Sequence, residues 1–560
     1  MNRDEKFIFT SGAKKKLFIT LGIGVLLLAI GVFMLANQSA HHGEGHGHEV
    51  VKEGFHAEPA HAVTGDSASE ENAQTRHEEA VHATNTLEEG HVDSAVDHSS
   101  SDAVQAHATG QEATMNSDSD TAVSHMAAHD DVTNSKEEVV NSSETHHAEQ
   151  AGPAHGPAEH EVAAQQHGGG HHEVHWTARL IKDLWLNNVF FAGIALIGVF
   201  FIAFNYVAWA GWSAGIKRIP EAFGSYLFVA AGLTIVLLVV FHHDLFHWTH
   251  HQLYEEFLKD ASGNILKDAS GKGIKNPEYD TLLVGKHAYL NFPFFLIRTI
   301  VYFAIWISLW LTLRKFSKQE DITGDEKFHH KSVVWSAVFL VTFGVTESMA
   351  AWDWLMSTDP HFFSTMYGWY VFASWFVSGL ALITLFVVVL KENGYLSFIN
   401  ENHLHDLGKF NFAFSVFWTY VWFEQFLLIY YANIPEEVGY FVQRLKTDAY
   451  TPIFFLVLIV NFFFPFLALM TRNAKRQGVI LKVVCTGIIL GHWMDFYMMI
   501  TPPILGQSGG LDLTFLFVEV GMAMIFASIF LFTILTSLSK VGLVAKNHPM
   551  LGESEHHSVF

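Results

Sequence analysis

Six ionisable side chains sit within apolar runs of this chain: Arg298, Glu347, Glu424, His492, Asp495 and Glu519. A charge at the centre of a bilayer costs at least about 2.5–3.5 kcal/mol on insertion scales, so such residues are rare without a partner or a task. The types present are those that exchange protons, carboxylates and an imidazole, with one guanidinium as counter-charge. At about 1.5 Å per residue, all six lie about 8–13 Å from the same ends of their runs. The shared depth predicts one polar cavity that opens to one side and supports reversible protonation. The plainer alternative is that each charge pairs with a neighbour to fix helix packing, as Arg298 could with Glu347.

Further residues extend that chemistry. Tyr420 and Glu424 are spaced i,i+4, one helical face, and His492 and Asp495 are spaced i,i+3. Asp353 and His361 fall near the same surface, where a proton could leave for water. His243 and His247, in the run His242–His251, have the i,i+4 spacing of two ligands on one helix. The alternative there is an interfacial collar of aromatic and polar groups. Only His492 is deep, which argues against an intrinsic haem b or haem–copper centre. Cys485 is the only cysteine, which excludes intramolecular disulfides, cysteine-ligated iron–sulfur clusters and a CxxCH haem site.

These residues need membrane-spanning helices to hold them. The chain has 560 residues, is 50% hydrophobic and carries 49 Phe and 15 Trp. A span needs roughly 20 apolar residues. Residues 179–540 supply runs at approximately 185–212, 221–242, 291–313, 332–354, 364–390, 409–431, 451–471, 479–500 and 512–537. Leu17–Ala36, preceded by Lys14, Lys15 and Lys16, is longer than the roughly 7–15 residues of a signal-peptide core, so an uncleaved anchor over 1–36 is expected. Residues 37–178 hold most of the 36 histidines and much of the acidic charge behind the net −23. With almost no Leu, Ile or Phe there, disorder is expected. The segment reads as a tether or a loose metal collector. The domain order is thus anchor 1–36, acidic His-rich segment 37–178, helical membrane domain 179–540 and tail 541–560.

Basic residues alternate along the chain. Lys217 and Arg218, then Arg314, Lys315 and Lys318, then Lys391 and Lys409, then Arg472, Lys475 and Arg476, then Lys540 and Lys546 fall on one side. The positive-inside rule makes that side cytoplasmic. Both termini are then cytoplasmic if the anchor stays. The acidic balance argues against nucleic-acid binding.

The stretches Ser364-Thr365-Met366-Tyr367-Gly368-Trp369-Tyr370, Asn400-Glu401-Asn402-His403-Leu404-His405-Asp406-Leu407-Gly408-Lys409 and Phe417-Trp418-Thr419-Tyr420-Val421-Trp422-Phe423 carry a family likeness. Over about 345–440 the chain resembles the second NrfD/polysulfide-reductase-like membrane subunit of alternative complex III. That complex is a bacterial quinol:cytochrome c (or equivalent acceptor) oxidoreductase of the inner membrane. The resemblance implies an all-α integral membrane fold of about ten transmembrane helices, with two four-helix bundles, spans three to six and seven to ten, plus flanking helices. It implies no redox cofactor in this chain, with quinone or quinol as a ligand and haem c and iron–sulfur clusters in partner subunits. The implied partners are membrane lipid, a paralogous NrfD-like subunit, an iron–sulfur subunit, multihaem cytochromes c and, in some assemblies, a terminal oxidase.

Three readings follow. In the first, Arg298, Glu347, Asp353, Glu424, His492, Asp495, Glu519, Tyr420 and His361 form a proton pathway or quinol pocket that faces the periplasm. In the second, the chain is a structural scaffold of the same complex. In the third, a transition-metal transporter, ligands should line the full membrane depth, with His243 and His247 at its mouth.

Overall fold

A computed structural model describes residues 5–43, 176–260 and 262–558. Most of the segment 37–178, with its expected disorder and metal-collecting role, lies outside the described residues.

The apolar runs become ten helices long and apolar enough to cross a membrane. They are α1 (Ser11–Asn37), α2 (Trp176–Val207), α3 (Arg218–Leu245), α4 (Phe292–Thr323), α5 (Glu326–Thr358), α6 (Met366–Glu392), α7 (Glu401–Ala432), α8 (Thr451–Ala468), α9 (Gly478–Ser508) and α10 (Leu513–Leu538). No strand forms among the described residues. The chain has the all-α integral membrane fold expected of it.

Local sequence sets the helix ends. Asn291 caps α4, accepting from Phe294 N at 3.1 Å. Gly324, at φ 68°, ends that helix, and Asp325 caps α5 through Lys327 N at 3.0 Å. A glycine suits this left-handed position, which lets α4 and α5 fold back on each other. Asn400 builds a capping box for α7, and Asn433 closes it at φ 48°.

Two four-helix rings form, offset by one span from the expectation. Helices α2, α3, α4 and α5 close one ring, and α6, α7, α8 and α9 close the other. The reason is α2, which is buried along nearly all its length and packs on α3, α5, α6, α9 and α10. Helices α1 and α10 flank the rings and lie against each other. Helix α2 begins at Trp176, well before the expected 185, so Arg179, Lys182 and Asp183, expected ahead of the span, are buried helix residues. Outward surfaces are apolar, as at Val341, Leu467 and Val479, as lipid contact requires.

Both described termini meet at one end of the bundle. Leu543 N donates to Glu5 O at 2.8 Å. Asn547 Nδ2 donates to Asp321 O at 2.8 Å and Ser554 Oγ to Trp212 O at 2.8 Å. The basic clusters named above share this tail end. The opposite end carries the 246–291 segment, which forms nested pairings at Phe257–Lys275, Lys259–Ile265 and Lys267–Gly273. Lys286 Nζ anchors that segment to Pro360 O at 2.6 Å.

Candidate functional site

The richest polar network surrounds Asp495 on α9. Tyr370 and Ser374, one turn apart on α6, both reach it. Tyr370 donates its hydroxyl to Oδ1, and Ser374 Oγ donates to Oδ2 at 2.9 Å. Trp418 Nε1 on α7 donates to the same Oδ2 at 3.0 Å. His492 Nδ1 lies 2.9 Å from Ser374 Oγ and 3.8 Å from Asp495 Oδ2. With the serine proton on Asp495, the serine lone pair takes the imidazole Nδ1–H, leaving His492 Nε2 bare. That nitrogen is buried with no hydrogen-bond partner among the described residues. Nearby, the π-helical turn Ile459–Phe463 of α8 presses Asn461 against Gly491, the neighbour of His492. Such turns recur at functional sites.

Asp495 also lines a narrow cleft with about 20 Å³ of free space. Its walls are Tyr370, Trp422, Tyr440, Phe441 and Phe454, and its other polar members are Gln425 and Arg444. Gln425 Oε1 is buried with no partner among the described residues. Arg444 comes from the helix Pro435–Leu445 between α7 and α8. Its position follows from the Pro502–Pro503 pair. The two prolines lie inside the last turns of α9. Lacking N–H groups, they leave the carbonyls four residues back unsatisfied. Arg444 Nε donates to Met498 O at 2.9 Å and Nη2 to Met499 O at 3.3 Å. Its guanidinium also stacks 3.4 Å from the Tyr440 ring centroid. Burial pushes the Tyr440 phenol above its usual range, with Arg444 opposing and Asp495 adding to the rise.

The belt does not form one cavity. A second network joins Arg298 to Asp353, not to Glu347, by two bonds of 2.9 and 2.8 Å. Tyr302 donates to Asp353 Oδ2 at 2.8 Å, and the guanidinium lies 3.8 Å from the Tyr289 ring centroid. Burial and the Asp353 carboxylate push the Tyr289 phenol up to about 12. Asp353 is fully buried, so it is not the surface exit expected of it. A third network sets Glu519 against Arg179 Nε at 2.7 Å and Lys182 Nζ at 3.3 Å. Arg179 also bridges to Asp512 at 2.9 Å. Burial works against the Asp512 carboxylate, but hydrogen bonds from Arg179 and Thr514 hold it below its usual range. Arg298 and Glu519 each pair with an opposite charge on a neighbouring helix, which compensates them in a medium of low dielectric.

Two indole hydrogen bonds join the networks. Trp185 Nε1 donates to Trp354 O at 3.0 Å, linking the second network to α2. Trp493 Nε1 donates to Asn187 Oδ1 at 3.0 Å, linking the first and third. Glu347 is buried, and its Oε1 has no partner among the described residues. Glu424 is half-buried, with Oε2 likewise unpartnered. Tyr420 is 61% exposed, so it points to lipid instead of pairing with Glu424. His361 Nε2 sits 2.5 Å from Asp280 Oδ2 at the surface.

His243 and His247 do not share a helical face. Helix α3 kinks at Phe241 and ends at Leu245, and Phe246 is extended at φ −129°. His243 Nδ1 engages Thr249 Oγ1 at 3.0 Å. Burial and neighbouring histidines lower the affinity of His247 for a proton. The collar alternative describes this run better than a metal pair.

Sequence reasoning missed Tyr370, Ser374, Gln425, Tyr440 and Arg444 as site residues. The signal for Arg444 was present, a proline pair within an apolar run. Gln425 sat beside Glu424 and was overshadowed by it. Compared with known proteins, the sequence matches no family model and no curated protein.

Proposed function

We propose that this chain is a membrane subunit of a bacterial respiratory quinol-oxidising complex, and that Asp495 serves its quinol or proton site. One observation carries the reading. A buried carboxylate held by Tyr370, Ser374 and Trp418 opens into an aromatic cleft that also holds Gln425 and Arg444. A quinol head group needs flat apolar walls and a hydrogen-bond partner at each oxygen. The cleft offers aromatic rings for the ring, and a carboxylate and a carboxamide for the oxygens. Asp495 accepts a proton from the hydroxyl, and Ser374 and His492 extend the hydrogen-bonded path away from it. Electrons leave through partner subunits, consistent with the resemblance to the second NrfD-like subunit of alternative complex III. The basic tail end faces the cytoplasm of an inner membrane in this reading, so protons are released on the far side.

The test is Asp495→Asn in the assembled complex. Loss of a positioned acid–base group lowers turnover by about 100-fold or more, while complex assembly stays intact. Unchanged quinol oxidation by an intact variant complex sinks the reading and favours the scaffold. The scaffold has its own support, since the Arg298–Asp353 and Arg179–Glu519 networks are closed ion pairs.

A further inference from the structure

We infer that Glu320, His329 and His548 form a binding site for one divalent transition-metal ion that ties the C-terminal segment to the bundle. The three residues come from the end of α4, the start of α5 and the segment after α10. The Gly324 turn lays the last turn of α4 beside the first of α5, which brings Glu320 to His329. The segment around His548 then folds over them, its neighbour Asn547 held on Asp321 O.

The ligand atoms of all three residues lie within 4.8 Å of one another, and all three side chains are buried. Glu320 Oε1 and His329 Nδ1 are 3.2 Å apart. Two donors bound tetrahedrally at about 2.0–2.1 Å stand about 3.3 Å apart, so this pair already has nearly the right spacing. An ion in this position would take His329 Nδ1, and the ring proton would move to Nε2, which is buried with no hydrogen-bond partner among the described residues. His548 and His329 rings meet edge to face at 4.9 Å. Both line a cavity of about 20 Å³ with Asn205, Tyr206 and Trp209, room for about one water at an open coordination position.

The surroundings are consistent with a ligand set of two imidazoles and a carboxylate. Lys217 Nζ lies 3.2 Å from Glu320 Oε2 and 2.7 Å from Tyr206 Oη. It takes the oxygen that faces away from His329 and so orients the carboxylate, as outer-shell partners do. Its charge opposes that of an ion, and the cluster of Arg218, Arg314, Glu221 and Asp321 beside it is self-compensating. His548 Nδ1 accepts from Met550 N at 3.2 Å, and ligation requires that one neutral hydrogen bond to open. Two imidazoles favour zinc, cobalt or nickel over magnesium or calcium.

The experiment loads the purified full-length chain with Co²⁺ and compares it with His548→Ala and His329→Gln. Ions held by the histidines of 37–178 contribute equally to all three proteins and cancel in the difference. The wild type should hold one more Co²⁺ than either variant, with a four-coordinate d–d spectrum in the difference and a C-terminal segment protected from protease only when metal is present. Equal Co²⁺ content and identical spectra across the three overturn the site. Should a variant not fold, zinc anomalous scattering from wild-type crystals decides the matter. A peak between Glu320, His329 and His548 supports the site, and its absence at saturating zinc overturns it.

Discussion

Arg444 shows how much a single side chain can be asked to do in a membrane. It supplies donors to the Met498 and Met499 carbonyls that Pro502 and Pro503 leave bare, while its guanidinium lines the Asp495 cleft. Replacing it by Leu strands two carbonyls at about 1–3 kcal/mol each. Thermal unfolding in detergent should record a loss of about 2–5 kcal/mol. In a Pro502→Ala, Pro503→Ala background the restored N–H groups take those carbonyls, and the same Arg444→Leu change should cost clearly less. Full additivity of the changes contradicts the assignment. Arg298 makes a useful contrast. Its removal as Arg298→Met leaves Asp353 buried with only Tyr302 to hold it, and breaking such a pair costs about 3–5 kcal/mol. That variant should fail to accumulate, whereas Asp495→Asn, which keeps shape and several partners, should assemble and fail in turnover.

At the scale of elements, two kinds of joint can be tested. Helices α1 and α10 approach through glycines. A Cβ on Gly521 would lie 2.9 Å from Leu28 N, and one on Gly24 would lie 2.9 Å from Gly521 O. Small residues permit this backbone approach where no hydrophobic effect drives helices together. Gly521→Leu should therefore detach α1, seen as faster proteolysis of residues 5–10, while the two rings remain folded. Unaltered protection in the variant refutes the joint. The other joint is carboxylate capping. Asp280 accepts from Leu282 N at 2.9 Å and pairs with His361, and Asp512 accepts from Phe515 N at 2.8 Å and pairs with Arg179. Burial resists both, yet these partners hold each carboxyl below its usual range. A depressed folded pKa contributes stability that is present above the unfolded value of about 3.9 and lost as pH falls through the folded value. Hydrogen-exchange protection in the 246–291 segment, taken relative to the intrinsic rate at each pH, should be flat from about pH 7 to 5 and fall only below about 4. A loss of protection already complete at pH 5 assigns the anchoring to another group.

Across the whole molecule, the fold was far more legible than the site, for a physical reason. Ten spans can be read because each apolar run must satisfy its backbone internally, so run length fixes helix existence. Pairing could not be read, because Arg298 choosing Asp353 over Glu347 depends on rotations that a one-dimensional count does not hold. The orientation of the molecule lies between these cases. The basic clusters named in the sequence fall on the tail end, where Glu5, Leu543 and the 393–400 turn meet, and by the positive-inside rule we propose that end as the cytoplasmic one. Against it stand Lys259, Lys267, Lys272 and Lys275 of the opposite loop, which sit mid-loop, away from the helix ends where the rule is strongest, and Lys286, Arg444 and Lys446, which lie nearer to them. The chain is convenient for a decision, because its single native cysteine, Cys485, is fully buried and should give little background. With Ser262→Cys in the exposed hairpin and Lys540→Cys at the tail end, a membrane-impermeant maleimide applied to intact spheroplasts should label the first and spare the second until the membrane is opened. Labelling in the reverse order turns the molecule over. The Asp495 cleft would then face the cytoplasm, and protons from quinol oxidation would be released on the wrong side for the proposed function.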